Sequence, residues 1–341
     1  KLDLERRDFT INAMAYNHKS GIVDEFDGIG DLNKHIIKCV GCAHDRFSED
    51  ALRMFRAVRF AAQLGFEIDK ETQDAIKELA PTMAKVSAER IQVELVKLLT
   101  SDHPEMMRNL YELGLTKVFM PEFDVMMQTP QNNKHHMYSV GEHTIRTLMN
   151  VRADKVLRLT MLLHDVAKPV CITTDEEGQD HFKKHPAVGA DMTKQILRRL
   201  KFDNKTIDCC CRLVKEHDDR PQITPKNVRR AMSRIGAGLF PMLFEVKRAD
   251  MLGQSLYKRK EKMAYIDEFE RVYNEILSDD QCVSKKDMKI NGRDLIDLGM
   301  EPEQKLGEIL DKLYEMVLDD PELNDHEKLI EHANKIISTL I

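Results

Sequence analysis

No stretch of 18 apolar residues occurs in the 341 residues, so the sequence offers no helix long and apolar enough to cross a bilayer. No charged n-region leading into an apolar h-region is present, which argues against a secretory leader. An excess of positive charge is also missing. The net charge is −6, which argues against a protein that coats nucleic acid with its whole surface. Disulfide spacing is lacking as well. The seven cysteines fall at 39, 42, 171, 209, 210, 211 and 282, and three adjacent ones cannot build a bridged ladder. Their odd count fits reduced thiols, and with them a cytoplasmic location is expected. Cys39-Val40-Gly41-Cys42 has metal spacing, but no second such pair completes four ligands.

What is present is ordinary for a folded chain. Hydrophobic residues make up 42% and charged residues 32%, enough for two or three cores at this length. The charge is uneven. Basic residues outnumber acidic ones by about two to one from Lys194 to Arg234, and the balance reverses from Glu301 to Glu331. Arg198, Arg199, Lys201, Arg229 and Arg230 in the basic stretch could track an RNA backbone, although such faces are more often simply solvated.

Strand character is confined to residues 1–44. GIVDEF (21–26) and HIIKCV (35–40) are short, β-branched and bounded by turn residues. In the opening DFTINAMAY, alternation and helical spacing compete. Ala13-Met14-Ala15 and a capping Asp8 favour a helix there. From Ser48 onward the pattern is helical. Ser48 can cap a first helix that ends at Gly65, Asp69 a second that stops before Pro81, and Ser87 a third. Further breaks are expected at Pro121, Pro130, Pro186, Pro221, Pro225 and Pro302. The expected fold class is mainly α, a short α/β piece followed by a long helical array.

RFSEDALRMFRAVRF (46–60) places Asp50, Arg53, Arg56 and Arg59 at intervals of three, a slowly winding polar stripe on a helix. Asp50 accepting beside Arg53 donating would match the amino group and ring nitrogen on the pairing edge of adenine or cytosine. Guanine and uracil present the opposite order, and a wrong base would cost about 1–3 kcal/mol. The plain alternative is a solvated face with a helix salt bridge.

Three stretches in order resemble the class II tRNA nucleotidyltransferases, the CCA-adding enzymes and bacterial poly(A) polymerases. RRDFTIN (Arg6–Asn12) is similar to the ribose- and triphosphate-binding motif, which implies nucleotide contacts for Arg7, Asp8 and Asn12. EDALR (Glu49–Arg53) resembles the protein template that selects ATP and CTP, with Arg56 and Arg59 further along it. ERIQVE (Glu89–Glu94) resembles the neck motif, which implies supporting roles for Glu89, Arg90 and Glu94. DEFDGIGDL (24–32) resembles the family's flexible motif but departs from it at Glu25 and Asp27. The resemblance implies addition of CMP and AMP to the tRNA 3′ end, with tRNA, ATP and CTP as partners. The family's head opens with a Gly-Gly turn and a DxD pair that binds Mg2+. Neither stands ahead of Arg6, and no Gly-Gly dipeptide occurs at all. The reading is therefore of a chain truncated at its front, inactive in transfer by itself.

A second set is rich in histidine: His143, His164-Asp165 after an apolar run, His185, His217 and Asp250. Burying His164 and Asp165 behind Leu162-Leu163 costs several kcal/mol unless something pairs with them. The order resembles the HD-domain metal phosphohydrolases. That implies a first metal at His143, His164, Asp165 and Asp250, with His185 and His217 for a second metal or a phosphate. Imidazole with carboxylate suits Mn, Ni, Fe or Mg. The alternatives to CCA addition are thus a phosphohydrolase acting on RNA-end or cyclic phosphates, a poly(A) polymerase, or a non-catalytic RNA-binding module. KINGRDLIDLGMEPEQKLGEILDKLYEMV (289–317) resembles the family's tRNA-gripping tail, with Lys289 and Arg293 as its contacts. The expected division is head 1–44, neck and template 45–125, HD domain 126–280 and tail 281–341.

Overall fold

Phe9, Ala13 and Ile37 are fully buried and organise the front of the chain. The computed structural model describes residues 2–19, 21–132, 137–301 and 305–339, so the expected break at Pro302 lies outside it. Thr10–Asn12 forms one 3-10 turn, and Met14–Asn17 then pairs antiparallel with Gly21–Asp24. The helix expected over the opening is thereby corrected: hairpin pairing outweighs the weak helix preference of Ala-Met-Ala. Gly28 packs against this turn, where a Cβ would lie 2.3 Å from the Thr10 carbonyl oxygen. Asp24 caps the following turn, accepting from the Gly28 and Ile29 amides at 2.7 and 2.8 Å. Strand character also extends past residue 44. Ile36–Ile37, the ordered part of HIIKCV, pairs in parallel with Glu67–Ile68, and Thr173–Thr174 pairs with Asp180–His181.

The chain divides into two compact units, Lys1–Asp218 with Glu245–Arg259, and Asp219–Phe244 with Lys260–Ile341. Both are mainly α. In the first, Ser48 lies inside helix Ala43–Glu49 rather than capping one. The chain is extended at Asp50 (φ −148°, ψ 102°) and starts again as helix Leu52–Leu64. The expected stripe is therefore split: Asp50 precedes the helix that carries the three arginines. Met54, Phe55, Val58 and Ala62 face the core on that helix. Gly65 ends it in the left-handed region (φ +68°), as the sequence indicates, with a Cβ excluded 2.9 Å from the His103 Nε2. Asp69 caps helix Lys70–Leu79, and Ser87 precedes helix Ala88–Leu99.

Further along, Ser139 caps helix Val140–Leu148 and Asp154 caps helix Lys155–Leu163. Helices His185–Arg199 and Asn204–Glu216 follow as a pair, the second capped by Asp203. The second unit has a cluster of Phe240, Phe244, Phe269 and Tyr273, with ring centroids 5.2–5.6 Å apart. A second core there holds Leu295, Ile309, Leu313, Val317 and Leu329.

Candidate functional site

Two constellations stand out in the first unit. The first surrounds the start of helix Leu52–Leu64. Asp50 accepts from the Leu52 amide at 3.2 Å and from Arg90 Nη2 at 2.7 Å. Burial pushes its carboxyl up, but Arg90, the Leu52 amide and the charge of Arg53 outweigh that and hold it low. Arg53 donates to Glu49 at 2.7 Å and to the Arg46 and Arg6 carbonyls at 3.1 and 3.0 Å. A cavity of about 310 Å³ opens beside them, lined by Phe47, Glu49, Asp50, Thr82, Lys85 and Arg90.

Arg56 reaches back to the opening motif, its Nε and Nη2 both 2.7 Å from the buried Asp8 carboxylate. Arg7 is exposed beside Asp3, and Asn12 is half-buried. Arg59 differs from its neighbours on the stripe. It is only 5% exposed, stacks over Phe60, and donates to Glu94 and Gln63 at 2.8 Å each. That burial and pairing make it a strut between helices Leu52–Leu64 and Ala88–Leu99. Glu94 and Arg90, both on helix Ala88–Leu99, thus hold Arg59 and Asp50 respectively. Glu89 is exposed in the first turn of that helix, where its charge suits the helix N-terminus.

The second constellation gathers six side chains that lie far apart in sequence. His143, His164, Asp165 and Asp250 form one group and Asp165, His185 and His217 another, each with ligand atoms within 4.8 Å of one another. All are buried. His164, His185 and His217 each give Nδ1–H to the carbonyl three residues earlier, at 2.7, 2.7 and 2.6 Å. A carbonyl only accepts, so a neutral ring keeps a bare lone pair on Nε2, the tautomer of a metal ligand. The Nε2 atoms of His185 and His217 face each other at 3.3 Å, and those of His143 and His164 at 3.2 Å. Lone pairs at that distance need a proton or a cation between them.

Asp165 is shared. Its Oδ2 lies 3.2 and 3.4 Å from His164 and His143, and its Oδ1 lies 3.4 and 3.6 Å from His185 and His217. Burial disfavours charge here, yet the carboxylates outweigh it and push His164 up to about 10. Asp165 and Asp250 are held well below the usual carboxylate range, against burial, by the imidazoles and Lys168. The donor set fits a divalent cation. The Cys39–Cys42 pair does not: Cys39 is buried, its thiol pushed up to about 12 by desolvation, while Cys42 is exposed.

Family models match along the chain: the poly(A) polymerase head domain at residues 1–38, the RNA- and SrmB-binding site of polymerase A at 65–127, and tRNA nucleotidyltransferase domain 2 at 187–333. The A-adding tRNA nucleotidyltransferase of Deinococcus radiodurans is 31% identical over 328 residues, covering 92% of this chain and 74% of the relative. The chain belongs to the class II tRNA nucleotidyltransferase family. The CCA-adding enzyme of Pediococcus pentosaceus is 30% identical over 339 residues, or 98% of this chain and 73% of that one. The crystal structure of the Bacillus stearothermophilus CCA-adding enzyme in complex with CTP matches with a TM-score of 0.70 at 26% identity, covering 99% of this chain and 74% of that one. The phosphohydrolase alternative is not borne out: the two relatives and the solved structure are named for nucleotide addition.

In this tRNA nucleotidyltransferase much of the basic stretch is committed elsewhere. Arg199 forms a bidentate pair with Glu122 at 2.7 and 2.9 Å. Arg229 is buried, donating to the Leu318 and Asp319 carbonyls and to Gln281. Arg230 pairs with Asp319. The RNA-tracking reading is corrected for the buried Arg229, whereas Arg198, Arg199, Lys201, Lys289 and Arg293 are exposed. Arg229→Ala should cost the second unit about 1–3 kcal/mol, because it uncaps buried carbonyls, and leave tRNA affinity unchanged. Chemical denaturation beside a filter-binding titration checks both.

The sequence reading missed Lys168, whose Nζ lies 2.7 Å from Asp165 Oδ2 and 2.9 Å from Gln131. Its spacing from Asp165 was the available signal, since i and i+3 meet on a helical turn. Arg46 was missed for want of any such cue.

Proposed function

We propose that this protein adds cytidylate and adenylate from CTP and ATP to the 3′ end of tRNA, choosing the base with a protein template. The observation that supports this most is the similarity to nucleotide-adding relatives along the whole chain, joined to a template segment held on both sides. Asp50 accepts from the amino group of cytosine or adenine, and Arg53 donates to the adjacent ring nitrogen. Arg90, Glu89 and Glu94 support the template, while Arg7, Asp8 and Asn12 meet the ribose and triphosphate. Asp8 ties that motif to the template through Arg56. Mg2+, when bound, would supply charge neutralisation of the leaving pyrophosphate.

Head 1–44, neck 45–125, HD domain 126–280 and tail 281–341 serve as the working segments. His143, His164, Asp165 and Asp250 hold a divalent cation, of Mn, Ni, Fe or Mg type, and His185 with His217 take a second ion or a phosphate. Among the described residues no helix is long and apolar enough to cross a membrane. The seven unbridged cysteines support a cytoplasmic location.

Asp50→Ala is the test. In the full-length protein, selectivity for CTP over UTP and for ATP over GTP should fall about tenfold or more, since one bidentate partner is lost. A helix cap alone would give a different result, a loss of about 1 kcal/mol with base preference intact. Misincorporation ratios read beside melting temperatures separate the two. The Deinococcus relative, an A-adding enzyme, favours a second reading in which only AMP is added. Labelled CTP on a tRNA lacking its last three nucleotides distinguishes it.

A further inference from the structure

Arg46 lies outside the three motifs, yet it holds the template arginine from behind. Its Nη1 donates to the Glu5 carbonyl at 3.0 Å, and its Nη2 lies 2.9 Å from Glu49 Oε1. The other oxygen of Glu49 takes Arg53 at 2.7 Å. Arg53 in turn donates to the backbone carbonyl of Arg46 and to that of Arg6. One carboxylate therefore sits between two guanidinium groups, and the two arginines grip consecutive carbonyls, Glu5 and Arg6, at the entry to the RRDFTIN motif. The side chains of Arg46 and Arg53 are only 17% and 18% exposed, so water competes poorly for these bonds.

We infer that Arg46 is a positioning residue for base selection, acting through Glu49 on Arg53; this rests on the template reading above. With Arg46 present, each oxygen of Glu49 has its own partner, and the carboxylate cannot turn wholly toward Arg53. With Arg46 gone, both oxygens are open to Arg53, and a bidentate pair would draw its guanidinium away from the base. Arg53 donates to the Arg6 carbonyl in this structure. When that group turns to a base edge, the Arg46 bond to Glu5 still ties the opening segment to helix Ala43–Glu49. A donor held in one direction penalises a misplaced acceptor, whereas a loose donor follows it. Removing the brace should therefore relax discrimination more than it lowers turnover.

The experiment uses the full-length protein with a tRNA primer and compares wild type, Arg46→Ala, Arg46→Lys and Asp50→Ala. For Arg46→Ala we expect the CTP/UTP and ATP/GTP ratios of kcat/KM to fall about tenfold, as for a weakened bidentate contact. KM for tRNA should stay unchanged. Arg46→Lys, which can still reach Glu49, should recover most of the selectivity. Ratios unchanged in Arg46→Ala while they fall in Asp50→Ala would overturn this inference alone. Ratios unchanged in both would overturn the template reading itself. If Arg46→Ala does not fold, Arg46→Lys and Glu49→Gln carry the test. In Glu49→Gln the amide binds both arginines more weakly, so the ratios should fall, and unchanged ratios in this variant overturn the inference.

Discussion

Glu94→Ala should destabilise the protein by about 3–5 kcal/mol, the cost of leaving a buried charge without its partner. Glu94 and Arg59 are both buried, and Arg59 Nε donates to Glu94 Oε2 at 2.8 Å. Without Glu94, Arg59 keeps only the neutral Gln63 oxygen and the face of Phe60. It cannot swing out cheaply, because it sits on the inner side of helix Leu52–Leu64. Glu94→Gln keeps an acceptor and should cost less than Glu94→Ala. The double variant Arg59→Met/Glu94→Leu should recover most of the loss, since apolar residues of similar volume often replace a buried pair without penalty. Urea denaturation at constant m-value measures all three. A loss under about 1 kcal/mol for Glu94→Ala would mean that the pair behaves like an exposed one.

Asp165→Ala should abolish metal retention and the stabilisation that metal brings. Asp165 is the one residue common to both ligand groups, so its loss weakens both together. In the wild type, Mn2+ or Ni2+ at a hundredfold excess over its Kd should add about 2.7 kcal/mol by mass action. The variant should show no such shift. It should also be less stable without added metal, because Lys168 loses a carboxylate 2.7 Å away while remaining buried. Elemental analysis with melting curves at increasing metal concentration checks this. Equal metal content and an equal shift in both proteins would remove Asp165 from the site.

These effects differ in how far the sequence announces them. His164 and Asp165 were legible because they follow an apolar run, which makes a lone polar group costly; His143, His185, His217 and Asp250 were reached only through the resemblance to the HD-domain order. Gly65 and Asp69 were legible for a local reason, a helix end with its own cap. The break at Asp50 was not, because Ser48 and Asp50 are both plausible caps and only packing decides between them. The opening hairpin was misread for a similar reason: pairing with Gly21–Asp24 is a non-local gain that propensity does not register. Arg229 looked like part of an RNA surface because its partners Leu318 and Asp319 lie about 90 residues away. The Asp8–Arg56 tie, across 48 positions, was likewise invisible, although both residues were singled out separately.

Nucleotide incorporation by the full-length protein bears most directly on the proposed function. A tRNA ending before its last three nucleotides would be offered each labelled triphosphate alone and then CTP with ATP, in the presence of Mg2+. We expect CTP to be incorporated first, ATP to follow only in the mixture, and UTP and GTP to be rejected. Equal incorporation of all four triphosphates, or none of any with intact tRNA binding, would contradict it.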